Sequence, residues 1–208
     1  MIDRYFENMK RERNKVMDEF RKLKRDILQC QKCQSIFDNP PHPIFQGQHN
    51  SLIMQIGQAP SKKVMMTGKP FHDASGKKLL CDWYQISREQ FDDPQNFYIS
   101  SIGRCYPGKA ITGDNPPVLQ CADLFLKREL EIIKPQMYII IGRYAAQFFF
   151  KDELLEDLVF QDHTWHGKPL YVLPHPSPLN RKWLKDHPQF EKERILEIRE
   201  KVQRLIQK

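Results

Sequence analysis

Four short apolar runs constrain this chain more than any other feature: Leu52 to Ile56, Phe97 to Ile102, Met137 to Ile141 and Leu170 to Leu173. Runs of that length with almost no polar interruption read as strands buried on both faces. Such strands belong to a parallel sheet, because each parallel connection needs a crossover helix that covers a face of the sheet. Helical spacing is present where crossovers are needed, around Gly76 to Ile86 and Cys121 to Ile133. Ile2, Phe6, Met9, Val16, Phe20, Leu23 and Ile27 recur at helical spacing among Lys, Arg and Glu, so residues 2 to 28 read as an amphipathic helix. Gln189 to Lys208, with Phe190, Ile195, Ile198, Val202 and Leu205, reads as a closing helix. The expected fold class is α/β: a single domain over residues 30–208, three-layer α/β/α around a central four-stranded, mainly parallel sheet. The helix in residues 1–29 is expected to pack on it.

A chain of 208 residues, 40% hydrophobic and 28% charged, buries one substantial core. No apolar run approaches the roughly 18 residues that span a bilayer, and no charged segment leads into an apolar one at the start. The expected location is cytoplasmic, with no membrane partner. A formal charge of +7 favours an anionic partner, since clustered Lys and Arg release counterions on binding phosphates.

Five cysteines in a chain expected in the reducing cytosol are not expected to form disulfides. Cys30 and Cys33 make a C-x-x-C pair, with Cys105 and Cys121 far downstream; Cys81, in an apolar helical stretch, reads as a buried bystander. Spacing alone leaves a metal site and unrelated free thiols both open. It lacks the second tight pair of a zinc ribbon, whereas iron–sulfur sites accept dispersed thiolates.

In an open parallel sheet, ligands bind beyond the carboxyl ends of the strands. The segments there are Gly57-Gln58-Ala59-Pro60-Ser61, Gly103-Arg104-Cys105-Tyr106-Pro107, Gly142-Arg143, and Pro174-His175-Pro176-Ser177-Pro178-Leu179. Three of the four are rich in Pro and Gly, suited to presenting backbone amides and small hydroxyls rigidly to an oxyanion. Taken singly, Phe71 reads as a core aromatic and His175 as a turn histidine. His163 and His166 have metal-like spacing but read as structural, in a polar turn beside Trp165. Gly108-Lys109 lacks the spacing and context of a phosphate loop.

Together these landmarks resemble the uracil-DNA glycosylase superfamily, most closely its iron–sulfur branch, family 4. The resemblance is carried by Gly57-Gln58-Ala59-Pro60, by Gly68-Lys69-Pro70-Phe71 followed by Ser75-Gly76, by Cys105 with Pro107, and by His175-Pro176-Ser177-Pro178-Leu179. The four cysteines match that branch in order and approximate spacing. The resemblance implies base excision from DNA by nucleotide flipping, and a 4Fe-4S cluster on Cys30, Cys33, Cys105 and Cys121; zinc or no metal is the alternative. It implies base recognition at Gly57, Phe71 and Ser101, with Phe71 stacking on the extruded base. It implies a DNA grip at Pro60, Ser61, Ser177, Pro178 and Arg181, with Leu179 as an apolar wedge. His175 becomes the donor to the departing base, and Gln58 holds the attacking water.

Three positions depart from the branch pattern. Gln58 stands where it has Glu, Ser101 where it has the base-reading Asn, and Asp73 where it has Gly. An amide orients water without acting as a base, and a serine reads a base edge less fully than an amide. Asp73 has two readings, a supplied acid or a helix cap. Two functions are therefore expected: a monofunctional, monomeric glycosylase acting on uracil or another deaminated base, or a nucleic-acid-binding relative without base excision.

Overall fold

In the computed structural model the sheet has five strands among the described residues, one more than the four apolar runs imply. Residues 2–37 and 40–207 are described, without the side chains of Ile2, Asp3 and Tyr5. The apolar role expected of Ile2 and the last residue of the closing helix, Lys208, therefore lie outside the described residues. The strands are β1 (Ile53–Gly57), β2 (Phe97–Ser101), β3 (Met137–Ile141), β4 (His163–Trp165) and β5 (Lys168–Leu173), in the order β2-β1-β3-β5-β4. β1 pairs in parallel with β2 and β3, and β3 with β5. Chain order reverses around β1, which places the crevice of an open sheet at the β1 and β3 ends.

The added strand corrects the reading of residues 163–166 as a turn. His163 and Trp165 lie on β4, antiparallel to β5, and the turn is His166-Gly167, where φ is 48° and 71°. Two successive left-handed residues are what a tight two-residue hairpin requires, and glycine supplies one without steric cost. A three-residue strand is too short to show any periodicity. The opposite edge strand, β2, receives one antiparallel bridge, from Gln46 to Ile99.

Helices cover both faces. In register, Met54 faces Tyr98 and Ile56 faces Ser100, and this side packs beneath α1 (Ile2–Leu28) and α5 (Lys127–Ile132). Phe20 of α1 meets Tyr98, while Leu23 and Ile27 pack on Phe125 in the π-helical turn Ala122–Leu126 that opens α5. On the other side, α3 (Ala74–Lys77) continues as a π-helical segment, Lys78–Tyr84. Its Tyr84 stacks on Phe97 and donates to Gln55 at 2.7 Å. Beyond α7 (Leu155–Val159), the closing helix is π-helical over Phe190–Arg194 and then α9 (Ile195–Ile206). It is tied to the same segment by Arg199, which donates to the Trp83 carbonyl at 2.7 Å. Cys81, expected to be buried, is exposed: Leu79, Leu80, Trp83 and Tyr84 take the core-facing arc and leave it the outward one.

One charged pair lies in the core beneath β2. Arg104 and Glu129 are 2% and 0% exposed and form a salt bridge. Tyr98 and Ser100 also donate to Glu129, at 2.5 and 2.8 Å, and burial pushes the Tyr98 phenol up to about 12, keeping it a donor. Arg104 also donates to the Ile44 and Ile99 carbonyls, both at 3.3 Å. Removing one partner of such a pair strands the other charge in the interior. Glu129→Ala is expected to cost about 3–5 kcal/mol, read from the urea midpoint; a loss below 1 kcal/mol, the range of exposed pairs, would count against the network.

Candidate active site

The strand ends open into a cleft of about 660 Å³. Gly57, Gln58, Pro60, Ser61, Phe71, Ser101, His175, Ser177, Pro178 and Leu179 all line it. Arg181 does not; it is exposed at the first residue of α8 (Arg181–Asp186). From the end of β3 neither residue lines the cleft: Gly142 lies under the His175 ring, and Arg143, which opens α6 (Arg143–Phe149), lies over Tyr144 at the surface.

Phe71 is held by its backbone. Its φ is +52°, the left-handed region that side chains rarely adopt, and the surrounding contacts over-determine it. Arg88, at the start of α4 (Arg88–Asp92), donates to the Pro70 carbonyl at 2.7 Å and the Phe71 carbonyl at 3.0 Å. Asp92 fixes the guanidinium from behind at 3.0 Å. Position 76 must be glycine, since a Cβ there would lie 1.6 Å from the Phe71 oxygen. The ring is wedged edge-on against Phe91 at 5.9 Å and faces Gly57. Phe71 is thus both a core contact and a cleft wall. Arg88, 17 residues downstream, carries no local sequence signal of this task.

His175 is half-buried on Gly142, whose φ of +82° and missing Cβ make room for the ring. Its Nδ1 accepts the Ser177 backbone N–H at 3.2 Å. A nitrogen that accepts carries no proton, so the neutral ring is protonated at Nε2, which has no partner among the described residues. Burial lowers the His175 pKa, opposed by the charges of Asp73 and Asp114. The loop beyond is built on itself: Ser177 Oγ caps the turn Pro178–Asn180, and Asn180 donates to the His175 carbonyl at 3.0 Å.

The departing positions differ in how far they are engaged. The Gln58 side chain makes no hydrogen bond among the described residues, leaving both its donor and its acceptor to the cleft. Ser101 Oγ donates to the Gly103 carbonyl at 2.7 Å, so toward the cleft it is an acceptor. Asp73 takes the cap role: Oδ1 accepts the Gly76 N–H at 3.0 Å, and Oδ2 accepts the Ser61 hydroxyl at 2.6 Å. Ser61 in turn caps α2 (Lys62–Thr67).

Behind this cleft lies a second, smaller cavity. Cys30, Cys33, Cys105 and Cys121 line it together with Pro41, Pro43, Val118 and Phe125, and Arg104 borders both cavities. Burial, then the neighbouring Cys121 thiol, pushes Cys105 up to about 12; burial also raises Cys33 and Cys121. Among the described residues, no group of three or more His, Cys, Asp or Glu is arranged to hold a metal ion.

A family model described as "Uracil DNA glycosylase superfamily" matches residues 44–199, the span that builds the sheet and both walls of the cleft. The chain belongs to the uracil DNA glycosylase superfamily. Three similar proteins fall in one branch. The type-4 uracil-DNA glycosylase of Archaeoglobus fulgidus is 31% identical over 144 residues, 69% of this chain and 68% of the relative. That of Saccharolobus solfataricus is 27% identical over 173 residues, 77% of each chain. That of Thermotoga maritima is 24% identical over 158 residues, covering 74% and 80%. Among the described residues of this superfamily member, no helix is long and apolar enough to cross a membrane.

The lowered His175 pKa fixes a pH dependence. In the unfolded chain imidazole titrates at roughly 6.5, and in the fold it titrates lower, so the neutral ring's contribution to stability is complete above that value. It is lost as pH falls below it, because only the unfolded chain then gains the proton. Between pH 7.5 and 5.5, His175→Asn, which retains an acceptor for the Ser177 N–H, should lose less stability than the wild type in urea titrations. Parallel losses would place the titration elsewhere.

Proposed function

We propose that this chain is a base-flipping DNA glycosylase that hydrolyses the N-glycosidic bond of uracil or another deaminated base. The observation that carries the reading is the His175 ring, whose Nδ1 is occupied by its own loop and whose Nε2–H is left to the cleft that Phe71 also lines. The names of the type-4 relatives support the same substrate class.

Extrusion of a nucleotide costs a few kcal/mol of stacking and pairing. The serine–proline segments Pro60-Ser61 and Ser177-Pro178 flank the phosphates on either side, with the hydroxyl of Ser177 as donor while that of Ser61 stays on Asp73, and Leu179 enters the vacated stack. Phe71 stacks on the base, an interaction worth about 1–3 kcal/mol in single-strand binders. As the C1′–N bond breaks, negative charge develops on the base and the sugar becomes oxocarbenium-like. The neutral Nε2–H of His175 donates to the base oxygen where that charge collects. Gln58 orients water toward C1′; the water oxygen bonds to that carbon and its proton passes to solvent, because an amide accepts none. Gly57 and Ser101 form the floor beneath the base.

The four cysteines would hold a 4Fe-4S cluster, in which each iron takes one thiolate. That ligation suits thiols ringed around an apolar cavity and does not require three donors on one ion. When bound, the cluster supplies a structural tie between the segment after α1 and the segments that follow β2. The cleft is complete within one chain, which supports a monomer. The alternative is a DNA-binding member without excision, favoured by the amide at position 58.

Two measurements test the reading. Base release from end-labelled oligonucleotides bearing uracil, hypoxanthine or xanthine should occur on at least one lesion, fall at least a hundredfold in His175→Ala, and rise or change pH profile in Gln58→Glu. Silence on all three by a folded protein that binds DNA would leave the binder. Anaerobically prepared protein should contain about four irons per chain and absorb visible light; a colourless, iron-free, fully folded preparation would exclude the cluster.

A further inference from the structure

The three most exposed large apolar side chains among the described residues are Ile111, at 107%, and Leu179 and Met66, each at 74%. Scattered exposed apolar residues are ordinary. These three are not scattered, because each sits on a segment that lines the cleft. Leu179 lines it directly, Met66 rides on α2 beside Lys62 and Lys63, and Ile111 lies between Lys109 and Thr112.

The segment that carries Ile111 is ordered. Lys109 and Asp114 form an antiparallel bridge, Ala110 N–H donates to the Gly113 carbonyl at 3.2 Å, and Asn115 N–H to the Gly108 carbonyl at 3.0 Å. Ile111 and Thr112 therefore occupy the tip of the loop that this bridge closes. Gly108 and Gly113, with φ of 93° and 75°, bend the chain on either side of the tip. The same loop also touches the wedge loop: a Cβ on Gly113 would lie 3.4 Å from Leu179 Cδ1. An aliphatic side chain at full exposure on a loop braced at its base gains nothing in the free protein. Between unstacked bases it would lose that exposure.

We propose that Ile111 is a second apolar wedge, paired with Leu179, and that the substrate taken by this cleft is a stacked duplex. The inference rests on the glycosylase reading of the cleft. Proteins that take single strands present aromatic faces on which bases stack; this rim presents aliphatic tips, the form that enters a base step and kinks a duplex. Lys62, Lys63 and Lys109 line the same mouth, with Lys109 already 3.6 Å from Asp114.

The test uses one uracil oligonucleotide as a single strand, opposite guanine and opposite adenine, with 2-aminopurine beside the uracil. Ile111→Ala should release uracil from the single strand within about twofold of wild type. It should lose about tenfold on the adenine duplex and less on the guanine mismatch, which is already weakly stacked, as expected for lost unstacking help. The rise in 2-aminopurine fluorescence on duplex binding should shrink in parallel, and Ile111→Met should restore both. Equal loss on single strand and duplex, or a duplex rate and fluorescence rise unchanged in Ile111→Ala, overturns the wedge. A wild type that releases no base from any substrate yet shows the Ile111-dependent rise refutes the glycosylase reading and leaves the wedge standing.

Discussion

The buried Arg104 guanidinium is the contact on which the functional half of the molecule depends. It follows β2, bonds Glu129 of α5, and donates to the carbonyl of Ile44 in the segment leading into β1. A lone charge so placed would be intolerable, and Glu129 is accordingly satisfied from three sides by Arg104, Tyr98 and Ser100. Arg104 borders both cavities, so one side chain is shared by the cleft and the pocket of the four thiols. On the cleft side, Arg104 also donates to Ser100 Oγ at 3.0 Å.

Two of the side chains that line the cleft, Phe71 and His175, are positioned by main-chain devices. Phe71 sits in a left-handed conformation clamped by the Arg88 fork and by the close approach of Gly76. His175 is fixed in one tautomer by an amide two residues away and rests on a glycine at the end of the neighbouring strand. Amide and carbonyl contacts survive most side-chain changes. The glycines and Arg88 are the exceptions.

How legible this was from the residues varies with the physical reason. β1, β2, β3 and β5 were visible because strands buried on both faces must be almost wholly apolar, and their ends located the cleft. β4 was not, since three residues at an edge carry no such demand. Cys81 was misjudged because the apolar density of Leu79, Leu80, Trp83 and Tyr84 hides the outward arc between them. The roles proposed for Gln58, Phe71, Ser101 and His175 rest on a family resemblance carried by motif order. That His175 offers Nε2–H, and that Asp73 is held by a cap and Ser61, needed coordinates. Arg88 and Ile111 had no sequence signal, because one acts across 17 residues and the other matters only for where its loop points.

The short β4 strand has a consequence for how copies of this chain behave together. An exposed strand edge invites pairing with another chain, and natural sheets blunt theirs with very short strands or irregular cover. Here one edge ends in the three residues of β4, and the other is met by Gln46 at Ile99. Edge-to-edge growth of the sheet therefore has little to start from at either side.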